Sequence, residues 1–463
     1  MNSNPSPSPH FVAGNWEVSR VKLNMKSMRR IALILILCST GLSVLWGSFV
    51  ARNSSGGFAD FRAVYHGARC LVERADPYNS AEFLRVFQAD GWKIPAEPMM
   101  ADLFRRAVLV CVNLPTTLFL ILPFAHLPLV LACLLWALLM TASLTLAAFL
   151  IWSLASNQAP TASLFLICFL LANCVILFAD GNSACLVIGL SVVAVWCFLQ
   201  DRFVLAGILC LAFSLAIKPH DAGLVWLYFL LAGGVQRKRA LQTLLVTIVL
   251  CVPAVLWVSH VAPGWLTELR SNLQAASAHG GLNDPGPGAI GFHHPDPIIN
   301  LQAFISVFDD DPRIYVPASY LVSAALLLPW IFSTLRSRFS QHRAWLALAA
   351  ISAITMLVTY HRQHDAKLLL LTVPACALLW AKRGPIGWFA LLANSAALFV
   401  TADIPATSLT VLTGHVPPGD GFFSHLKAAL LVRPAPLILL VIAIFYLWIY
   451  LHHTSDDPTS AAA

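Results

Sequence analysis

Three groups of residues in this sequence have the types and spacing that chemistry needs. Asp60 stands in the run Gly56–Asn79, followed by Phe61 and Tyr65 and closed by Asp76-Pro77-Tyr78. A carboxylate fixed at the water–lipid boundary beside an apolar slot takes a proton from an acceptor hydroxyl, the work of a general base. An aspartate at the start of a helix also serves as an ordinary cap, and spacing does not separate the two roles. The second group is the run Tyr360-His361-Arg362-Gln363-His364-Asp365-Ala366-Lys367 between two apolar stretches. Cations placed in advance where negative charge develops stabilise a transition state, and the planar fork of Arg362 suits phosphate oxygens. The competing reading is a solvated turn touching lipid headgroups. The third group is Lys218-Pro219-His220-Asp221, where Lys218 and His220 either contact phosphate or sugar, or Lys218 pairs with Asp221. Asp180 and Asn182 flank a helix start and either bind sugar hydroxyls or cap that helix. His293-His294 with Asp296 hints at a metal site, but adjacent histidines without spaced partners are a weak signal. No metal site and no cofactor are expected.

The elements that position these residues follow from composition. Of 463 residues, 58% are hydrophobic and 11% charged, with a mean hydropathy of +0.75. An ordinary soluble domain carries about 25% charged residues. Repeated apolar runs near twenty residues match about 30 Å of hydrocarbon as helix, and their continuous rather than alternating pattern excludes a β-barrel. The expected fold is an all-α polytopic membrane protein of about 11–13 transmembrane helices. The expected spans are 31–51, 107–125, 128–153, 162–178, 183–200, 203–217, 220–235, 239–260, 315–335, 343–360, 366–381, 384–402 and 428–451. Lysine and arginine favour short cytoplasmic loops, so Lys26, Arg29, Arg30, Arg237–Arg239, Arg336–Arg343 and Lys382-Arg383 mark the inner side. Both ends then lie inside. One segment must therefore fail to cross, and 107–125, broken by Pro115 and Pro123, is the candidate. The first helix reads as an uncleaved signal-anchor, and residues 1–25 and 454–463 as disordered tails.

Two long loops, 52–106 and 261–314, fall outside and hold thirteen of the 22 acidic residues. In the first, residues 60–78 read as a short amphipathic helix lying on the interface. Arg105 and Arg106 would anchor to headgroups. In the second, the glycine- and proline-rich stretch 280–300 reads as turns that close over an acceptor. Ten of eleven cysteines sit within apolar spans and read as small hydrophobes. The net charge of +7 reflects inner anchoring, with no basic stripe of the nucleic-acid kind.

The order of motifs resembles glycosyltransferase family 87, of the GT-C superfamily. Asp60-Phe61, Tyr65, Ala68, Leu71 and Asp76-Pro77-Tyr78 are similar to that family's first outer loop. Leu114-Pro115, Leu127-Pro128 and Trp136, then Asp180-Gly181-Asn182, then Lys218-Pro219 are similar to its later landmarks, with the family's glutamine replaced in the third. The resemblance implies a GT-C-like bundle, a single transferase domain over 31–451, and an inverting transfer of a sugar, commonly mannose. The donor would be a polyprenyl-phosphate sugar and the acceptor a lipid or glycan hydroxyl, on the outer face of the cell membrane. It also implies that Asp60 is the general base. Two other classes stay open: a transporter or flippase of a lipid-linked or small polar substrate, and a polymerase or ligase of surface glycans. Labelled transfer from a polyprenyl-phosphate sugar separates them from a transferase.

Overall fold

A computed structural model describes residues 25–54, 57–91, 93–94, 96–287, 297–413 and 421–452. Helix α1 (Met25–Asn53) leads into three shorter helices, α2 (Ala59–Val72), α3 (Ser80–Ala89) and α4 (Pro98–Val108). Then come α5 (Pro115–Ala125), α6 (Leu129–Ala155), α7 (Pro160–Ala172) and the six-residue α8 (Val175–Asp180). Helices α9 (Ala184–Gln200) and α10 (Val204–Ile217) form a hairpin, followed by α11 (Pro219–Leu231) and α12 (Gly234–Val261). The second outer segment holds α13 (Trp265–Ser277) and α14 (Leu301–Ile305). The chain continues through α15 (Pro312–Arg336), α16 (Gln341–Val358) and a 3₁₀ helix (Gln363–Thr372) that runs into α17 (Val373–Ala381). It closes with α18 (Pro385–Val400), α19 (Asp403–Thr413), α20 (Phe422–Leu431) and α21 (Pro434–His452). Among the described residues, β pairing is confined to an isolated antiparallel bridge between Ile298 and Arg362.

This is an all-α polytopic membrane protein. Among the described residues, seven helical stretches are long and apolar enough to cross a bilayer: α1, α6, α12, α15, α16, the 3₁₀ helix with α17, and α21. The pair α18–α19, bent by 66°, makes an eighth. The expected 11–13 spans exceed this number because several apolar runs are interrupted. Proline removes a backbone donor and starts a new helix where it falls in the first turn, as Pro115, Pro160, Pro219, Pro312 and Pro385 do. Segment 107–125 becomes an 11-residue helix from Pro115, about 16 Å long and half the hydrocarbon thickness. Segment 162–178 breaks at Asn173-Cys174, and 428–451 breaks at Val432-Arg433.

The bundle has two distinct ends. Ser214 Oγ donates to Val187 O at 3.1 Å, so α9 and α10 run antiparallel, and the start of α9 lies beside the end of α10. The C-terminal half of α1 reaches this same end, where a Cβ on Gly47 would sit 2.8 Å from Val175 O of α8. At the opposite end Arg239, in the first turns of α12, pairs with Asp201 of the α9–α10 turn. There too Arg343 lies over the Tyr450 ring at 5.0 Å. Connectivity puts Lys26, Arg29, Arg30, Lys382 and Arg383 at this second end as well. These basic turns therefore gather away from the end that carries Asp180–Asn182 and Lys218.

The two outer segments form one layer. Asn272 Nδ2 of α13 donates to the carbonyls of Tyr78 and Cys111, both at 3.0 Å. Helix α2 does not lie on the interface as an amphipathic surface helix. It buries Phe61, Val64, Tyr65, His66, Gly67, Ala68, Cys70 and Leu71 between α5 and α3, so its polar face is covered as well. All eleven cysteines are free, including Cys70, which is buried rather than loop-exposed.

Candidate active site

The first half of the site is built by two turns from distant parts of the chain. Phe58 precedes α2 in a left-handed conformation, and its N–H donates to Ala179 O at 2.7 Å, which fastens the start of α2 to the end of α8. Gly181 ends α8 with φ +65°, and a Cβ there would lie 2.7 Å from the Phe58 ring and 2.9 Å from Phe61. Only glycine turns the chain there without strain or clash. The turn delivers Asn182, whose Nδ2 donates to Asp60 Oδ2 at 2.6 Å while its Oδ1 accepts from Ala184 N at 2.8 Å. Asp60 is not the cap of α2. It sits within the first turn, half-buried, and among the described residues nothing donates to its Oδ1. Phe61 stacks on Trp136 at 5.0 Å, and Trp136 Nε1 donates to Gly181 O at 2.8 Å, so the apolar wall beside Asp60 is held by the same turn.

Tyr65 is one helical turn on from Phe61, with its hydroxyl donating to Leu127 O at 2.7 Å; it ties α2 to the turn between α5 and α6. Asp180 is the last residue of α8 and does not join the Asn182–Asp60 bond.

The second half gathers the other predicted residues around two carboxylates. Lys218, between α10 and α11, pairs with Asp365 and with Asp221 Oδ2 at 3.2 Å. Asp365 also accepts from Arg362 N at 2.9 Å through Oδ2, and His364 Nε2 lies 3.4 Å from its Oδ1. His361 is fully buried, with Nε2 3.2 Å from Asp221 Oδ1 and Nδ1 3.1 Å from Thr359 O. His220 faces the same oxygen at 3.8 Å, and its ring lies 5.2 Å from that of His361. Arg362 is buried against the second outer segment. Its Nη2 donates to Leu282 O at 2.8 Å and its Nε to the Tyr360 hydroxyl. The ordinary Lys218–Asp221 ion pair and the clustering of basic residues are therefore both present.

The two halves lie at the same end of the bundle and share a scaffold that sequence reasoning missed. Asp403 Oδ2 accepts from Ile176 N at 2.7 Å, in the first turn of α8, where a carboxylate also meets the positive end of the helix dipole. Its Oδ1 takes a 2.8 Å bond from Lys367 Nζ, two residues beyond Asp365. Thus α8 is held at its start by the 3₁₀ segment and delivers Asn182 to Asp60 at its end. The signal for Lys367 and Asp365 lay in their place within the charged run; Asp403, an isolated aspartate after an apolar helix, gave none. His66, six residues beyond Asp60, is another missed group. Burial and the guanidiniums of Arg62 and Arg69 push its imidazole down to about 3, with Asp90 Oδ2 3.3 Å away.

Two groups have the composition of metal ligands: His220–Asp221–His361, and His279–Asp284–Asp310 in the second outer segment. The His293-His294-Asp296 hint lies outside the described residues, as does much of the stretch expected to close over an acceptor. Comparison with known proteins found no matching family model, no matching curated protein and no matching solved structure.

Proposed function

We propose that this chain is a membrane transferase that moves a sugar, mannose foremost, from a polyprenyl-phosphate donor to a lipid or glycan hydroxyl on the outer face, inverting the anomeric centre. The observation that carries this reading is the half-buried Asp60, oriented by Asn182 beside an aromatic wall, at the end of the bundle opposite the basic turns at 26–30, 237–239, 336–343 and 382–383. Lysine and arginine collect on the cytoplasmic side, which supports reading the Asp60 end as the outer one. Asp60 Oδ2 is engaged by Asn182 and Oδ1 is open to an acceptor hydroxyl. A carboxylate so held takes the hydroxyl proton as the oxygen attacks the anomeric carbon from the face opposite the phosphate. The leaving phosphate needs positive charge at its oxygens, and Lys218, Arg362, His361 and His364 are the groups proposed to supply it. The likeness to glycosyltransferase family 87 rests on the order of motifs alone.

A transporter reading has one observation in its favour: Lys218–Asp365 and Lys367–Asp403 are ion pairs at interrupted helices, as charge-coupled carriers use. Purified protein in vesicles with labelled polyprenyl-phosphate mannose separates the two. Covalent product that falls by about 10²–10⁴ in Asp60→Asn, with insertion unchanged, is the expected result. Flux of label across the vesicle without product, or wild-type transfer by Asp60→Asn, removes the transferase reading.

A further inference from the structure

The chemistry of the second half is unfinished by protein atoms alone. His361 Nδ1 lies 3.1 Å from Thr359 O and 3.4 Å from Thr359 Oγ1. Its Nε2 faces Asp221 Oδ1 at 3.2 Å. With the ring proton on Nδ1, toward the Thr359 carbonyl, Nε2 and Oδ1 are two acceptors that a cation between them would reconcile. Among the described residues, none of His361 Nε2, His220 Nε2 and the two Asp221 oxygens makes a well-formed hydrogen bond, although all four atoms are buried. Lys218 ion-pairs with Oδ2 of Asp221 and leaves Oδ1 to the two imidazoles.

We propose that His220, Asp221 and His361 bind one divalent first-row transition-metal ion, zinc foremost. Ligand atoms about 2.0–2.1 Å from a tetrahedral ion stand about 3.3 Å apart. The separations to the shared Oδ1 are 3.2 and 3.8 Å, and all three ligand atoms fall within 4.8 Å of one another. Two imidazoles and one carboxylate select such an ion over magnesium or calcium, which prefer all-oxygen sites. The Nδ1–H of His361 on a backbone carbonyl is the outer contact that ligating histidines use to fix tautomer and ring. That carbonyl's segment is itself pinned, since His361 O accepts from Ile299 N at 3.0 Å. Three protein ligands leave a fourth position, and His220, the partly exposed member at 35%, marks its open side.

Metal binding here does not depend on the transferase reading, whereas the ion's use rests on it. Lys218 faces Asp221 and Asp365, one positive charge against two negative, so these side chains alone offer a phosphate no net attraction. A dication in the open-sided site supplies the missing charge and a Lewis-acid contact for a phosphate oxygen.

The test uses full-length protein in detergent, freed of any affinity tag, stripped with a chelator and titrated with Zn²⁺. One zinc per chain is expected by metal analysis and calorimetry. Affinity should fall by more than about 100-fold in His220→Gln and His361→Gln, beyond what loss of an outer contact costs, while His279→Gln, in the other cluster, binds as wild type does. His220→Gln is the safer variant for folding, and its metal-free unfolding temperature should match that of the metal-free wild type. Absence of stoichiometric zinc, or undiminished binding in His220→Gln, overturns the assignment. Zinc bound by a protein that transfers no sugar supports the metal site and removes the transferase reading alone.

Discussion

At the scale of single residues, His66 reports how completely the outer layer closes around α2. Its ring is fully buried among Tyr65, Phe83 and Phe87, and its proton affinity is pushed down to about 3 from an ordinary 6.5. Because the folded value lies below the unfolded one, the unfolded chain binds more protons between those limits. Stability is then fully present above pH 6.5 and is lost as pH falls toward 3, by at most about 1.4 kcal/mol per unit. Unfolding curves should be flat in this respect above pH 6.5 and descend below it, and His66→Phe should remove the descent between about pH 6.5 and 5. Parallel curves for the two proteins would show that His66 is not the titrating group. Residues of this kind are invisible in sequence because their behaviour comes from burial, which composition does not reveal. Asn182, Lys218, His361 and Arg362 stood out because each interrupts an apolar run, where polarity is costly and therefore informative, and Asp60 through the motif that follows the first helix. What they touch was not legible: the Asn182–Asp60 bond spans 122 positions, and Lys218–Asp365 spans 147.

At the scale of elements, α8 carries more than its six residues suggest. It is bounded by Asn173 and Gly181, capped by Asp403 through Ile176 N, and its end supplies the partner of Asp60. The cap depends on a buried cation, since Lys367 Nζ bonds both Asp403 Oδ1 and Thr401 O. Lys367→Met should therefore cost about 3–5 kcal/mol by leaving the Asp403 charge buried and poorly compensated. Asp403→Asn in that background should recover most of the loss, because an amide oxygen still accepts from Ile176 N without carrying charge. Denaturant unfolding in detergent reads both; equal losses in the single and double variants would show that the pair does not hold α8. Long uninterrupted helices such as α6 and α12 were plain in the hydropathy pattern. Interrupted ones were not: 162–178 reads as one apolar run, but no apolar residue in it forbids the break at Asn173-Cys174, which is made by contacts from Ser43 and Asp403.

At the scale of the whole molecule, the basic clusters and the polar network occupy opposite ends, and this asymmetry predicts accessibility. A membrane-impermeant maleimide added to intact cells should label Lys93→Cys, exposed in the outer layer. Arg338→Cys, in the turn between α15 and α16, should label only after permeabilisation. The reverse pattern would place the site on the cytoplasmic side. The fold class was readable because charge is scarce everywhere except in two loops and four clusters. The layer made by those loops was not, since five helices and their shared contacts stand where the sequence showed one short helix and a stretch of turns. Arg362 gives that layer a mechanical consequence. Its guanidinium holds the Leu282 carbonyl from 80 positions away, and with the bond from Ile299 N to His361 O it ties the segment 261–314 to the charged run. A displacement of residues 280–287 breaks that bond, and the Arg362 side chain keeps its contact with the Tyr360 hydroxyl. The position of that segment and the seating of the Arg362 side chain are thus linked.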